Sequence, residues 1–399
     1  QPIIRGMSGP RVKILKNGVV NRDVSGLGVD HLNDVDLHDI SQVEIVKGPS
    51  SLLYANGTIG GIINVVDDCI SALNYELPEI SVGYETQSVN DGNSENFNFK
   101  NNINGFNVNF GYKNIDFGNY DIPSGAILHE EEDHDDHDDH DEDEHHDEDM
   151  GFLNNSDYAV EATKFGISKV GDWGYVGFSV DNLESVYGIP FHGDEHGDEH
   201  GDEHGDEHGD EEEHDEHGEE RIFSTTDSES FTIKGSYNIN GSLINKIDFN
   251  YRDSDYSLTE AHEEEEHHEE DEHDEEEEHE EHAPTVFMNE AVEYGATFDI
   301  SNDSSTQKVV VNFVDEDNSI VGEEAFMNPA NSKEFTIGYY LSKDLGIYDL
   351  DVGFRHDQIE RSGSVTEEEH DDDHGDDHGD DHGDEHGEVD YYNIDDSTN

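Results

Sequence analysis

Basic residues are scarce in this 399-residue chain: 19 Lys and Arg stand against 103 Asp and Glu, a formal net charge of -84. A nucleic-acid binder needs Lys and Arg to displace counterions, so nucleic acid is excluded as a partner. The same field disfavours an anionic bilayer surface unless cations bridge it. Cys69 is the one cysteine, which rules out a disulfide scaffold, and a lone thiol makes a poor metal site. No run of 18 apolar residues occurs, so no helix spans a membrane. Ser/His/Asp and Cys/His groups at catalytic spacing are also missing, and nothing points to an enzyme or a catalytic cofactor. No secretory leader precedes the first motif. The chain opens at Gln1 inside that motif, and we expect an internal fragment of a longer protein.

Four blocks carry much of the charge: 129–149, 192–220, 260–282 and 367–388. They hold 60 of the acidic residues, 24 of the 27 His and no Lys or Arg. The remainder is only moderately acidic and patterned for folding. Beyond residue 77 it alternates with period two. Phe106, Val108, Phe110 and Tyr112 interleave with Asn107, Asn109, Gly111 and Lys113. Ile247, Phe249 and Tyr251 interleave with Asp248, Asn250 and Arg252, and Leu350, Val352 and Phe354 with Asp351 and Gly353. A helix would place its apolar residues every three or four; this pattern puts one apolar row on one face of a strand.

The runs are about 9–12 residues, the span a tilted strand needs to cross a bilayer, whereas soluble strands centre near 5–6. Strands are expected near 78–86, 96–103, 106–115, 157–168, 173–184, 229–239, 244–255, 290–301, 306–314, 333–343 and 346–356, with a twelfth from Asp390. Connections alternate in length. Asn104-Gly105, 169–172, 240–243, 302–305 and Asp344-Leu345 have hairpin chemistry. Between them lie 87–95, 116–156, 185–228, 256–289, 315–332 and 357–389. In an antiparallel barrel every second connection shares a rim, so all four charged blocks emerge from one side. Membrane barrels have short periplasmic turns and long outer loops, which places the blocks outside the cell.

Residues 1–70 differ in texture. Apolar pieces at 12–15, 43–46 and 59–66 alternate with glycines, which suggests short strands and tight turns in a small mixed α/β domain. IRG at 4–6, QVEIVKGPSSLLY at 42–54 and IGGIINVV at 59–66 resemble the plug domain of TonB-dependent outer-membrane receptors. DVSGLGVDH at 23–31 and VVDD at 65–68 resemble the zinc-receptor branch. The resemblance covers the later part of a plug, without the TonB box. It implies an all-β fold, a plug (1–70) seated in a transmembrane antiparallel barrel (71–399) of 22 strands, about half of them present here. It also implies the TonB complex and outer-membrane lipid as partners, and a plug histidine at the barrel mouth as a metal ligand. Asp30 and His31 stand at that position.

The blocks add a second set of candidate ligands. The first and third offer His129, His134, His137, His140, His262, His267, His268 and His273. HGDE and HGDD repeats place His192, His196, His200, His204, His208, His370, His374, His378, His382 and His386 four residues apart. Like charges and recurrent Gly oppose helix formation, so the blocks are expected to be disordered without metal. Neutral imidazole with carboxylate suits borderline divalent metals, and His-rich tracts are a metal-binding composition. Four extended residues span ~13 Å, whereas zinc holds nitrogen at ~2.0–2.1 Å. Neighbouring His therefore share an ion only if the chain loops back. Weak, interchangeable sites that raise local metal concentration are the expectation. Zinc is the expected cargo; copper, nickel or a ferric chelate, and a surface metal buffer that transports nothing, are the alternatives.

Overall fold

The computed structural model describes residues 2–24, 31–33, 35–123, 126, 151–190, 221–239, 241, 243–263, 283–322, 325, 327–368 and 389–398; 263, 365–368 and 389–398 are described by their backbone alone. The first charged block, the second, most of the third and most of the fourth lie outside the described residues, as does Asp30.

The N-terminal unit is a four-stranded sheet of β1 (Val12–Lys16), β2 (Val19–Val20), β3 (Ile40–Val46) and β4 (Gly61–Asp67), in the order β2-β1-β4-β3. All three expected apolar pieces overlap its strands. β1 and β4 pair in parallel, and β3 and β4 antiparallel. Leu15 and Ile62 are fully buried at its centre; each such side chain contributes roughly 1.5–3 kcal/mol over exposure. Helical content in this unit, among the described residues, is two short 3-10 turns at Gly9–Arg11 and Pro49–Leu53.

The rest is one antiparallel sheet of twelve strands. Its members are β5 (Glu79–Gln87), β6 (Gly92–Ile103), β7 (Phe106–Phe117), β10 (Tyr158–Gly171), β11 (Gly174–Gly188), β12 (Arg221–Asn238), β13 (Lys246–Glu263), β14 (Thr285–Asp299), β15 (Thr306–Val321), β16 (Ala330–Asp344), β17 (Asp349–Glu368) and β18 (Val389–Thr398). A two-residue ladder, β8 (Tyr120–Asp121) with β9 (Phe152–Leu153), decorates one connection. Neighbours in sequence are neighbours in the sheet, and β5 and β18 form its edges.

All twelve expected strands are present, but several are longer than the apolar period suggests. β12, β13, β14, β15 and β17 run on through 221–228, 256–263, 285–289, 315–321 and 357–368, stretches assigned above to connections. Those ends carry Ser, Thr, Asp and Glu on the outer row, so hydropathy hides the alternation while the backbone ladder continues. The connection expected at 87–95 is likewise only 88–91. At the opposite rim, Asn104 and Gly105 both have positive φ (53° and 82°), the backbone of a two-residue hairpin turn.

Each strand shows two rows. Phe178, Val180, Phe231, Tyr294, Phe313, Ile337, Val352 and Phe354 point outward and are exposed. Rings join across strands, Tyr294 on Phe313 at 5.1 Å and Phe313 on Phe335 at 4.9 Å between centroids. An exposed aromatic band of this extent fits lipid, not water. The inner row is polar, with Asn107, Asn109, Lys164, Ser179, Thr232, Arg252 and Glu293 buried. They are buried because the plug sits against them.

Candidate functional site at the plug and wall

Contacts from the plug reach strands from β6 to β17, so the sheet wraps around it. Lys16 Nζ meets Asp181 of β11 at 2.8 Å. Arg22 meets Glu293 of β14 at 2.9 Å and Glu316 of β15 at 3.7 Å. Arg355 of β17 bonds Glu334 and Asp357 at 3.0 and 2.7 Å and donates to the carbonyl of Leu52 at 3.2 Å. Three wall lysines grip the 35–39 segment of the plug: Lys100 bonds Asp39 at 2.9 Å, and Lys113 and Lys164 reach Asp36 at 3.6 and 3.8 Å.

Charge and burial set the protonation of the plug groups. Burial opposes the Lys16 charge, yet Asp181 and Asp67 outweigh it and hold its pKa above the ordinary lysine value. Asp67 is also buried, which works against ionisation; Lys16, Lys164 and two hydrogen bonds overcome this and lower its pKa. The Cys69 thiol is free and buried, and its burial, with Asp181 and Asp67 nearby, keeps it protonated.

The face of the plug toward the long connections closes on an apolar cluster. Val24 packs with Tyr187, Ile189, Ile222, Tyr256, Leu258, Phe287 and Ile320 from the inner rows of β11 to β15 and the residue after β11. His31 lies at its edge. It is 7% exposed, and its ring meets Phe287 edge-on with centroids 5.4 Å apart. Leu32 N–H points at the Tyr187 hydroxyl at 3.5 Å. The His31 Nδ1 atom is buried with no hydrogen-bond partner among the described residues. A buried polar atom in that condition costs about 1–3 kcal/mol, a cost a ligand would remove.

His262 stands on the same inner row of β13 as Leu258, directly opposite Ile222 of β12. It and His31 are the candidate ligands that the structure describes. Asp30 and the remaining block histidines, from His129 to His386, lie outside the described residues. Among the described residues no group of three or more His, Cys, Asp or Glu is arranged to hold a metal. The other two described histidines are accounted for. His38 Nε2 lies 2.7 Å from Asn98 Nδ2, and His356 is exposed on the outer row beside Phe354.

Sequence reasoning missed the ion pairs joining plug to wall. Their partners are 61 to 294 residues apart in the chain. A usable signal did exist: Asp181, Arg252, Glu293 and Arg355 are charges inside runs long enough to cross a bilayer, and such charges face an interior.

Residues 1–62 match the family model described as TonB-dependent Receptor Plug Domain. Over 88 residues the chain is 34% identical to a hemin receptor of Yersinia enterocolitica, covering 22% of this chain and 12% of that protein. Its fold is similar to the ferric-catecholate import receptor Fiu of E. coli K12, with TM-score 0.61, 12% identity, and coverage of 99% of this chain and 60% of that one. The FrpB iron transporter of Neisseria meningitidis (F3-3 variant) aligns with TM-score 0.59 and 11% identity over 90% of this chain and 55% of that one. The chain thus spans little more than half the length of these solved receptors. It has a plug domain and the β-barrel wall of the TonB-dependent receptor fold.

Proposed function

We propose that this chain is the plug and part of the wall of a TonB-dependent outer-membrane receptor that takes up a divalent transition metal, with zinc as cargo. The observation that carries the reading is His31: a buried imidazole whose Nδ1 has no partner among the described residues, at the plug face toward the charged connections. The 24 block histidines among 60 carboxylates supply the collecting field. That field draws divalent cations to the mouth. Imidazole with carboxylate favours zinc-like ions over calcium and magnesium, which prefer all-oxygen shells. The exposed aromatic band rests in lipid, and the TonB complex supplies the energy that displaces the plug. The protein acts as a transporter and not as an enzyme.

A ferric chelate is the second reading, favoured by the names of the hemin receptor and the iron transporters it resembles. A surface buffer that transports nothing is the third. Uptake of radioactive zinc by cells carrying the full-length receptor, across a range of free zinc, separates them. Deleting the HGDE repeats should lower uptake mainly when zinc is scarce, because they contribute local concentration. His31→Ala should weaken apparent affinity by ~10–100-fold, the usual effect of losing a ligand or its support. Wild-type uptake by His31→Ala would remove the plug site. Zinc bound at the surface but never internalised would leave the buffer, and iron-chelate uptake without zinc uptake would leave the second reading.

A further inference from the structure

Between plug and wall lies a cavity of about 60 Å³, bounded by β1, β2 and the 35–36 segment on one side and β10 to β13 on the other. Such a volume holds a few water-sized bodies, at roughly 10–15 Å³ each. Four cations line it: Lys16 and Arg22 from the plug, Lys164 and Arg252 from the wall. Three have carboxylates. Lys16 pairs with Asp181, Arg22 with Glu293, and Lys164 with Asp36.

Arg252 differs. It is only 5% exposed, and its hydrogen bonds go to neutral oxygens: Nε donates to Thr232 Oγ1 and Nη2 to the Lys16 carbonyl, both at 3.3 Å. No carboxylate among the described residues lies within 4 Å of it, and the two whose charge acts on it most, Asp181 and Glu293, are engaged by Lys16 and Arg22. Lys234 stands two residues along the inner row of β12 from Thr232, which is directly opposite Arg252. It too has no carboxylate in ion-pair reach among the described residues. A guanidinium has five N–H donors in a fixed fork. Burying one without a counter-charge is unfavourable unless something neutralises it.

We propose that this cavity binds a small inorganic anion, with chloride the fitting case, held by Arg252 between plug and wall. Size selects the class: a monatomic anion and its water fit about 60 Å³, and a polycarboxylate or nucleotide does not. Charge selects the sign, since the cation without a carboxylate stands where the interior dielectric strengthens a pairing. The site needs both bodies, because the plug's Lys16 carbonyl orients the wall's Arg252. The anion therefore binds the seated plug and not the displaced one, and by linkage it stabilises the seated state. This holds whatever cargo the receptor carries.

The test is thermal unfolding of the full-length receptor in detergent, with chloride exchanged for gluconate at constant ionic strength, and with Arg252→Gln alongside. Tm of the wild type should rise with the logarithm of chloride concentration once the site begins to fill, and the Arg252→Gln protein should show no such rise. A Tm indifferent to chloride, or an equal rise in both proteins, overturns the proposal. If the variant does not fold, crystals of the wild type grown in bromide decide. An anomalous peak beside the Arg252 guanidinium supports the site, and its absence from the cavity refutes it.

Discussion

Replacing Lys16 by Met should loosen the plug by about 3–5 kcal/mol, the usual cost of leaving one member of a buried ion pair alone. The geometry places it in that range. The Lys16–Asp181 pair is 2.8 Å long, with side chains only 17% and 13% exposed. Asp67 lies in the same field, so losing Lys16 strips Asp181 of its ion-pair partner and leaves Asp67 with Lys164 alone of the two lysines that favour its charge. The raised pKa of Lys16 says that attraction exceeds the burial penalty at this site. Methionine keeps most of the volume, so the cost is electrostatic and not a cavity. The readout is hydrogen exchange of the β1 amides in the full-length receptor. Opening should increase by roughly two to three and a half orders of magnitude, at 1.4 kcal/mol per tenfold. Lys16→Met combined with Asp181→Leu should recover most of the loss, because no orphaned charge remains between those two positions. If the single variant costs under about 1 kcal/mol and the double is no better, the pair is solvated and the account of plug seating is wrong.

The His38 pKa is lowered, first by burial and then by Lys164 and Lys113, against the pull of Asp36 and Asp39. A base with a depressed folded pKa contributes its full stability above the unfolded value near ~6.5 and loses it as pH falls toward the folded one. Protection of the 35–39 amides, normalised to intrinsic exchange rates, should therefore fall as pH drops below about 6.5 in wild type and stay flat in His38→Gln; equal pH profiles would end this reading. On the outer wall Glu229, Asp255, Glu290 and Asp317 stand directly opposite one another on four successive strands, all exposed. Like charges so placed repel, so Glu290→Lys should stabilise by about 0.4–2 kcal/mol over its two pairs. The gain should shrink in high salt; a urea midpoint that falls, or ignores salt, would contradict it.

Local pattern determined a great deal here. Period-two alternation placed twelve strands, because each strand must send one row to lipid and one to the interior whatever lies beside it. Asn104-Gly105 declared its turn through positive φ that few other residues tolerate. Plug strands β1, β3 and β4 were legible as apolar runs between glycines. The tertiary structure decided what the inner row touches. Whether Asp181 meets Lys16, or Arg252 meets its carbonyl, depends on how a separate body docks against a curved sheet, and no local period encodes that. The extensions of β12 to β15 were hidden for a related reason: there the apolar side chains, such as Ile222, Leu258 and Ile320, stand on the inner row, so the apolar period of the outward-facing stretch does not continue into them. His31 shows the division most sharply. Its type and position in the chain made it a candidate, but only packing against Phe287 buried its ring and left Nδ1 without a partner among the described residues.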